Sequence, residues 1–118
     1  MLEAGTRRRH QPPPAVVFAA LTDPAGDPGR PWLQLLDDEH PPEILQASPP
    51  DVVVWSSLWE RRPDARIRFD LASDGAGGTE LRWTLHVAEP LPDPSLLGHL
   101  RKRLNQLINA DLRATFGQ

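Results

Sequence analysis

The chain has 118 residues, 13 basic and 16 acidic side chains, a formal net charge of −3 and no cysteine. That length is one domain over residues 1–118, with surface enough to bury a single core. The absence of cysteine excludes disulfides, thiolate nucleophiles and cysteine-based zinc sites, and the mild acidity gives no overall drive towards nucleic acid or anionic membrane.

AVVFAAL, the longest purely apolar run, is far short of a membrane span. MLEAGTRRRH carries charge with no apolar region behind it, so no secretory signal is read there and cytoplasmic residence is the default expectation. The 14 prolines cluster between periodic segments and mark rigid corners.

Residues 3–11 are polar, with Arg7, Arg8, Arg9 and His10 in succession. A solvated edge strand explains such a run better than a nucleic-acid surface, because charge protects sheet edges and no stacking aromatics accompany it. PPAVVFAALTD predicts a short helix. Proline suits its first turn, Val16 or Val17 with Ala20 and Leu21 form its apolar face, and Asp23-Pro24 ends it. DPAGDPGRP is a loop. A second short helix is predicted over about Pro31–Asp38, with Trp32, Leu35 and Leu36 at helical spacing. The DDEH run that follows offers metal-ligand residue types, but at consecutive positions that cannot converge on one ion, so it reads as a solvated helix end.

PPEILQASPP contains a short strand, and the β-branched and aromatic run Val52–Glu60 a longer one. Arg66–Ala72 and Thr79–Val87 form the last hairpin, joined through SDGAGG, whose GAGG is a turn and not a phosphate loop. Ile67, Phe69 and Leu71 alternate with Arg66, Arg68 and Asp70, and Leu81, Trp83, Leu85 and Val87 alternate with Glu80, Arg82, Thr84 and His86. One apolar and one polar face is the pattern of an antiparallel sheet. Setting Asp70 opposite Arg82 places Phe69 opposite Trp83. A slip of two residues would oppose Asp70 to Glu80, and like charges directly opposed cost up to about 1 kcal/mol per pair. The Asp70–Arg82 register is therefore expected. If Glu60 pairs with Arg66 in the preceding hairpin, Val53, Trp55, Ser57 and Trp59 face inward. Val52, Val54 and Leu58 then form an outer apolar strip that calls for cover by a neighbouring element or second subunit.

Asp93 is an N-cap, Pro94 the first helical residue and Gly117 a C-terminal cap for a long last helix over about Pro94–Phe116. Leu97, Leu100, Leu104, Leu107 and Ile108 form its stripe, while Arg101, Lys102, Arg103, Asn105 and Arg113 lie mostly off it. Asp111 falls near the middle of the apolar face. It is either a buried acid with a raised pKa, a candidate general base, or a residue that reaches solvent near the helix end or pairs with a first-strand arginine such as Arg8. The structural role is the expectation.

The order strand, two short helices, antiparallel strands and long terminal helix, together with PPPAVVFAALTDP, ILQASPPDVVVW and GGTELRWTLHV, resembles the START-like superfamily, also called SRPBCC. That group includes polyketide cyclase/dehydrase-like proteins, the birch pollen allergen family, lipid-transfer START domains and heat-shock-protein ATPase activator homologues. The resemblance covers nearly the whole chain. It implies an α+β helix-grip fold: a curved antiparallel sheet of about five or six strands, two short helices, and one long C-terminal helix packed across the concave face. Family members usually carry one or two further strands where this chain has only DDEHPPE, which implies a cavity reduced or open at one end.

The function expected on this resemblance is binding of a small hydrophobic molecule between sheet and C-terminal helix, with polyketide cyclase- or dehydratase-like activity as an extension. Candidate lining residues are Trp55, Ser57, Trp59, Phe69, Trp83, Leu85, Leu97, Leu100, Leu104 and Asp111, with Trp59 placed nearest a pocket mouth. The same aromatics equally suit a plain core. No residue is assigned as catalytic: His86 falls on the wet face, His99 on a helix flank, and neither has a serine partner. No metal, cofactor, nucleic acid or membrane is expected. The alternative is a non-enzymatic protein-interaction module of the chaperone-activator kind, or a homodimer with a filled core.

Overall fold

A computed structural model describes residues 2–10, 12–23, 35–88 and 93–108, the first of these segments by its backbone alone. Five strands form one sheet: β1 (Leu2–His10), β2 (Ile44–Ser48), β3 (Val52–Trp55), β4 (Arg66–Ser73) and β5 (Thr79–Val87). Their spatial order is β1-β5-β4-β3-β2, every neighbouring pair is antiparallel, and β1 and β2 are the two edges. Among the described residues two helices accompany the sheet, α1 (Pro14–Thr22) and α2 (Pro94–Gln106). Among the described residues no helix is long and apolar enough to cross a membrane.

The β4–β5 hairpin forms as the alternation and the charges require. Asp70 stands opposite Arg82 and Phe69 opposite Trp83. The turn closes because Asp74 Oδ1 accepts from the N–H groups of Ala76 and Gly78, at 2.8 and 3.0 Å. Gly75 and Gly77 take φ of 81° and 85°, the left-handed region that side-chain-bearing residues avoid. Ile67, Phe69, Leu71, Leu81, Trp83, Leu85 and Val87 are all buried on the inner face.

β1 is an edge strand, paired with β5 along its whole length. α1 begins where the proline run predicts and buries Val17 and Leu21 against that inner face. At the start of α2, the Asp93 carboxylate accepts from the Leu96 N–H at 2.8 Å, so the cap is made. Leu100, Leu104, Leu107 and Ile108 join one core with the strand residues, and Leu97 is half-buried at its margin.

Four expectations need correction. The strand predicted over Val52–Glu60 ends at Trp55, and β3 pairs with β4 as Val52↔Asp70 and Trp55↔Ile67, four residues away from the Glu60–Arg66 register. The chain leaves the sheet because Ser56 and Glu43 bond each other through the Ser56 N–H and hydroxyl, and the Ser57 hydroxyl then organises a turn. Leu58 consequently turns into the core and is fully buried, so it forms no outer strip with the half-buried Val52 and Val54. Of the predicted second short helix, residues 31–34, with Trp32, lie outside the described residues. Its remainder, Leu35–Asp38, is a turn closed by the Glu39 N–H on Leu36 O at 3.0 Å. Finally, Glu39 and Arg103, expected in solvent and off the helix stripe, are both enclosed.

Candidate functional site

The inner face of the sheet brings the expected aromatics together. Trp55 and Phe69 meet edge-to-face, 4.7 Å between ring centres and 68° between planes, a favourable arrangement of ring quadrupoles. Trp83 stands opposite Phe69 on the next strand, Leu85 follows on the same face, and Leu100 and Leu104 come from α2. All of these are buried. Asp111 lies outside the described residues.

The polar handles of these residues divide into used and unused. Trp55 Nε1–H donates to the Leu21 carbonyl at 2.8 Å, which ties β3 to the end of α1. Ser57 Oγ lies 2.7 Å from Arg62 O and 3.0 Å from Trp59 O, accepts from the Trp59 N–H at 3.0 Å, and is spent on its own turn. Trp59 is enclosed at 2 % exposure and does not open to solvent. Its Nε1–H donates to Glu39 Oε2 at 2.9 Å. Trp83 differs: at 1 % exposure its Nε1–H has no acceptor among the described residues. A buried donor left unmade costs about 1–3 kcal/mol, so this one requires a reason.

Glu39 closes one side of the core. Its side chain is fully enclosed and its partner Arg103 is 5 % exposed at the side chain. Arg103 donates from Nε to Glu39 Oε2 at 2.9 Å and from a terminal nitrogen to Oε1 at 2.6 Å, a two-pronged grip. The Leu36 N–H adds a third contact to Oε1 at 2.9 Å, and Trp59 Nε1 completes the shell. Arg103 is satisfied further by Gln106 Oε1 at 2.8 Å. Burial pushes the Glu39 carboxyl up, but the bonds from Arg103, Leu36 and Trp59 outweigh it and hold the group below the usual glutamate range. The bonds thus favour the carboxylate form, which clamps the turn before β2, Trp59 and α2 together. Reading DDEH as consecutive solvated residues hid this. The available signal was Arg103 itself, three residues past Leu100 and four before Leu107, on the margin of the apolar stripe.

A second clamp secures the end of β5. Arg62 grips both Asp64 oxygens at 3.0 Å and donates to the Ala88 carbonyl at 2.7 Å, while the Ala88 N–H donates back to Asp64 Oδ2 at 2.8 Å. The Arg62 guanidinium beside it pulls the Asp64 carboxyl down from 3.8 to about 2. At the start of α2, Asp38, Arg61, Asp93 and His99 border an open hollow of about 420 Å³. Among the described residues no three histidine or carboxylate side chains gather closely enough to hold a metal ion.

No family model and no curated protein matches the sequence. Solved structures do share its fold. The Aha1 dimer from Colwellia psychrerythraea aligns at 16% identity with a TM-score of 0.69, over 96% of this chain and 94% of that one. An HSP90 activator from Plasmodium falciparum aligns at 15% identity and 0.72, over 99% and 97%. CalU16 from Micromonospora echinospora aligns at 23% identity and 0.57, over 93% and 78%. At these identities the likeness carries the fold alone: an α+β arrangement of the helix-grip kind.

Proposed function

We propose that this protein binds a small, mostly apolar molecule between the inner face of the sheet and α2, with one hydrogen-bond acceptor of the ligand directed at Trp83. The observation that carries the reading is the buried Trp83 Nε1–H without a partner among the described residues, amid the Phe69, Leu85, Leu100 and Leu104 side chains. Such sites combine an apolar lining with a few placed polar groups. Of the core indoles, Trp55 and Trp59 have their donors committed within the chain. Ser57, Trp59 and Leu97 belong to the surroundings of this site, and Asp111 remains a candidate for its far end. Polyketide cyclase-like chemistry is the extension of this reading suggested by likeness to CalU16.

A second reading, a protein-interaction module related in role to the HSP90 activators or a homodimer, is favoured by β2. All five of its residues are exposed at the sheet edge, with Ile44 at 36% and Leu45 at 47%, and none is charged. Uncharged edges are templates for pairing with another chain.

Native mass spectrometry of the protein purified from its own host separates the two. Ligand binding predicts a small-molecule mass increment that disappears on denaturation and is reduced in Trp83→Phe. A bare monomer mass in every preparation would overturn it, and a bare dimer would favour the second reading.

A further inference from the structure

The outer face of the sheet carries a hollow of about 530 Å³, bordered by Arg68, Asp70, Glu80, Arg82, Thr84 and His86. A flat strand surface has no such depression. Here it follows from side-chain length. The central cross-strand row reads Gly5, Thr84, Arg68, with no side chain at the first position and a short one at the second. Along β5, Thr84 is flanked by the longer Arg82 and His86, so it becomes the floor and they become walls.

Three donor groups around this floor, on Arg68, Arg82 and Thr84, are open among the described residues. Asp70 stands opposite Arg82, yet its carboxylate is taken along the strand by Arg68 Nε, at 3.1 and 3.3 Å. That leaves the Arg82 guanidinium with no hydrogen bond or ion pair among the described residues, and leaves both terminal nitrogens of Arg68 uncommitted. The Thr84 hydroxyl also has no protein partner there. On its other side, Arg82 stands directly opposite Arg7 of β1. Like charges at opposed positions of a sheet are unfavourable.

We propose that this hollow is a binding site for a small molecule bearing one anionic head group, a carboxylate or a phosphate. Arg82 and Arg68 supply the charge-assisted hydrogen bonds and Thr84 supplies the floor donor. Asp70 on the rim disfavours a second negative charge, so the site suits a single head group better than a polyanion such as nucleic acid. The volume falls within the about 300–1,000 Å³ of metabolite-sized sites. The site lies on the face opposite the aromatic core and is independent of the ligand proposed there.

The test is an NMR titration of the ¹⁵N-labelled full chain at constant ionic strength, with inorganic phosphate and acetate as separate probes. Saturable, millimolar shifts centred on Arg68, Arg82 and Thr84 are expected. Arg82→Gln should weaken binding by about tenfold or more, equal to about 1.4 kcal/mol, and Arg82→Lys should retain part of it. The tighter probe identifies the head group as phosphoryl or carboxylate. Arg82 is exposed and bonds nothing among the described residues, so both variants keep the fold, which the spectrum itself reports. Shifts that rise without saturating, equal shifts at Arg101 and Lys102 of α2, or unchanged binding in Arg82→Gln would each overturn the proposal.

Discussion

Replacing Glu39 with glutamine keeps the shape of the side chain and removes its charge. In the parent, the carboxylate accepts four bonds: two from Arg103 and one each from Trp59 and Leu36. After the change, the Arg103 guanidinium stays buried and loses the charge of Glu39. Removing one partner of a buried pair costs about 3–5 kcal/mol, and the amide oxygen's residual hydrogen bonding brings the expected loss to about 2–4 kcal/mol. A domain of this size holds roughly 5–15 kcal/mol in all, so the effect is large. The assay is urea unfolding followed by tryptophan fluorescence, read as a fall in midpoint at constant slope. The double variant Glu39→Leu with Arg103→Leu removes both charges together. It should be less destabilised than the single variants Glu39→Leu and Arg103→Leu summed, because neither charge is stranded. Asp70→Ala is the control: the Arg68–Asp70 pair is exposed, and such pairs contribute about 0–1 kcal/mol. If Glu39→Gln lost no more than Asp70→Ala, the clamp would have no structural weight and the reasoning would fail.

Two further expectations follow from the same geometry. Asp64 titrates near 2 when folded, below its ordinary 3.8. Its contribution is therefore complete above the unfolded value and is lost as pH falls through the folded one. Asp64→Asn should flatten the decline in stability on acidification across that interval, measured by thermal unfolding at stepped pH; an unchanged acid limb would contradict the assignment. Trp55→Phe and Trp83→Phe remove the same group from two buried indoles with opposite bonding. The first strands the Leu21 carbonyl and the second removes an orphan donor, so Trp55→Phe should be the more destabilising by about 1–3 kcal/mol, with equal losses refuting the distinction.

Periodicity and local charge were enough to define the β4–β5 hairpin, its register, the first helix and the Asp93 cap. Each depends on residues that are neighbours along one strand, across one turn or within one helical turn. Side-chain alternation, cross-strand repulsion and capping act over those distances, and a sequence displays them directly. The aromatic inner face was legible for the same reason, as every second residue of a strand.

The end of β3, the burial of Leu58 and the Glu39–Arg103 clamp were not legible. Glu39 is 64 positions from Arg103 and 20 from Trp59. Nothing in DDEH distinguishes the one carboxylate that will meet four donors from its solvated neighbours, because enclosure arises only when α2 lies over the turn. Arg82 shows the converse. Sequence set it opposite Asp70, and the backbone agrees, but the competing Arg68 won the carboxylate. Local pattern determined which way each strand and helix would face. Which distant polar groups met, as Glu39 and Arg103 did, was decided by tertiary packing, since a hydrogen bond is chosen by distances that only the assembled fold creates.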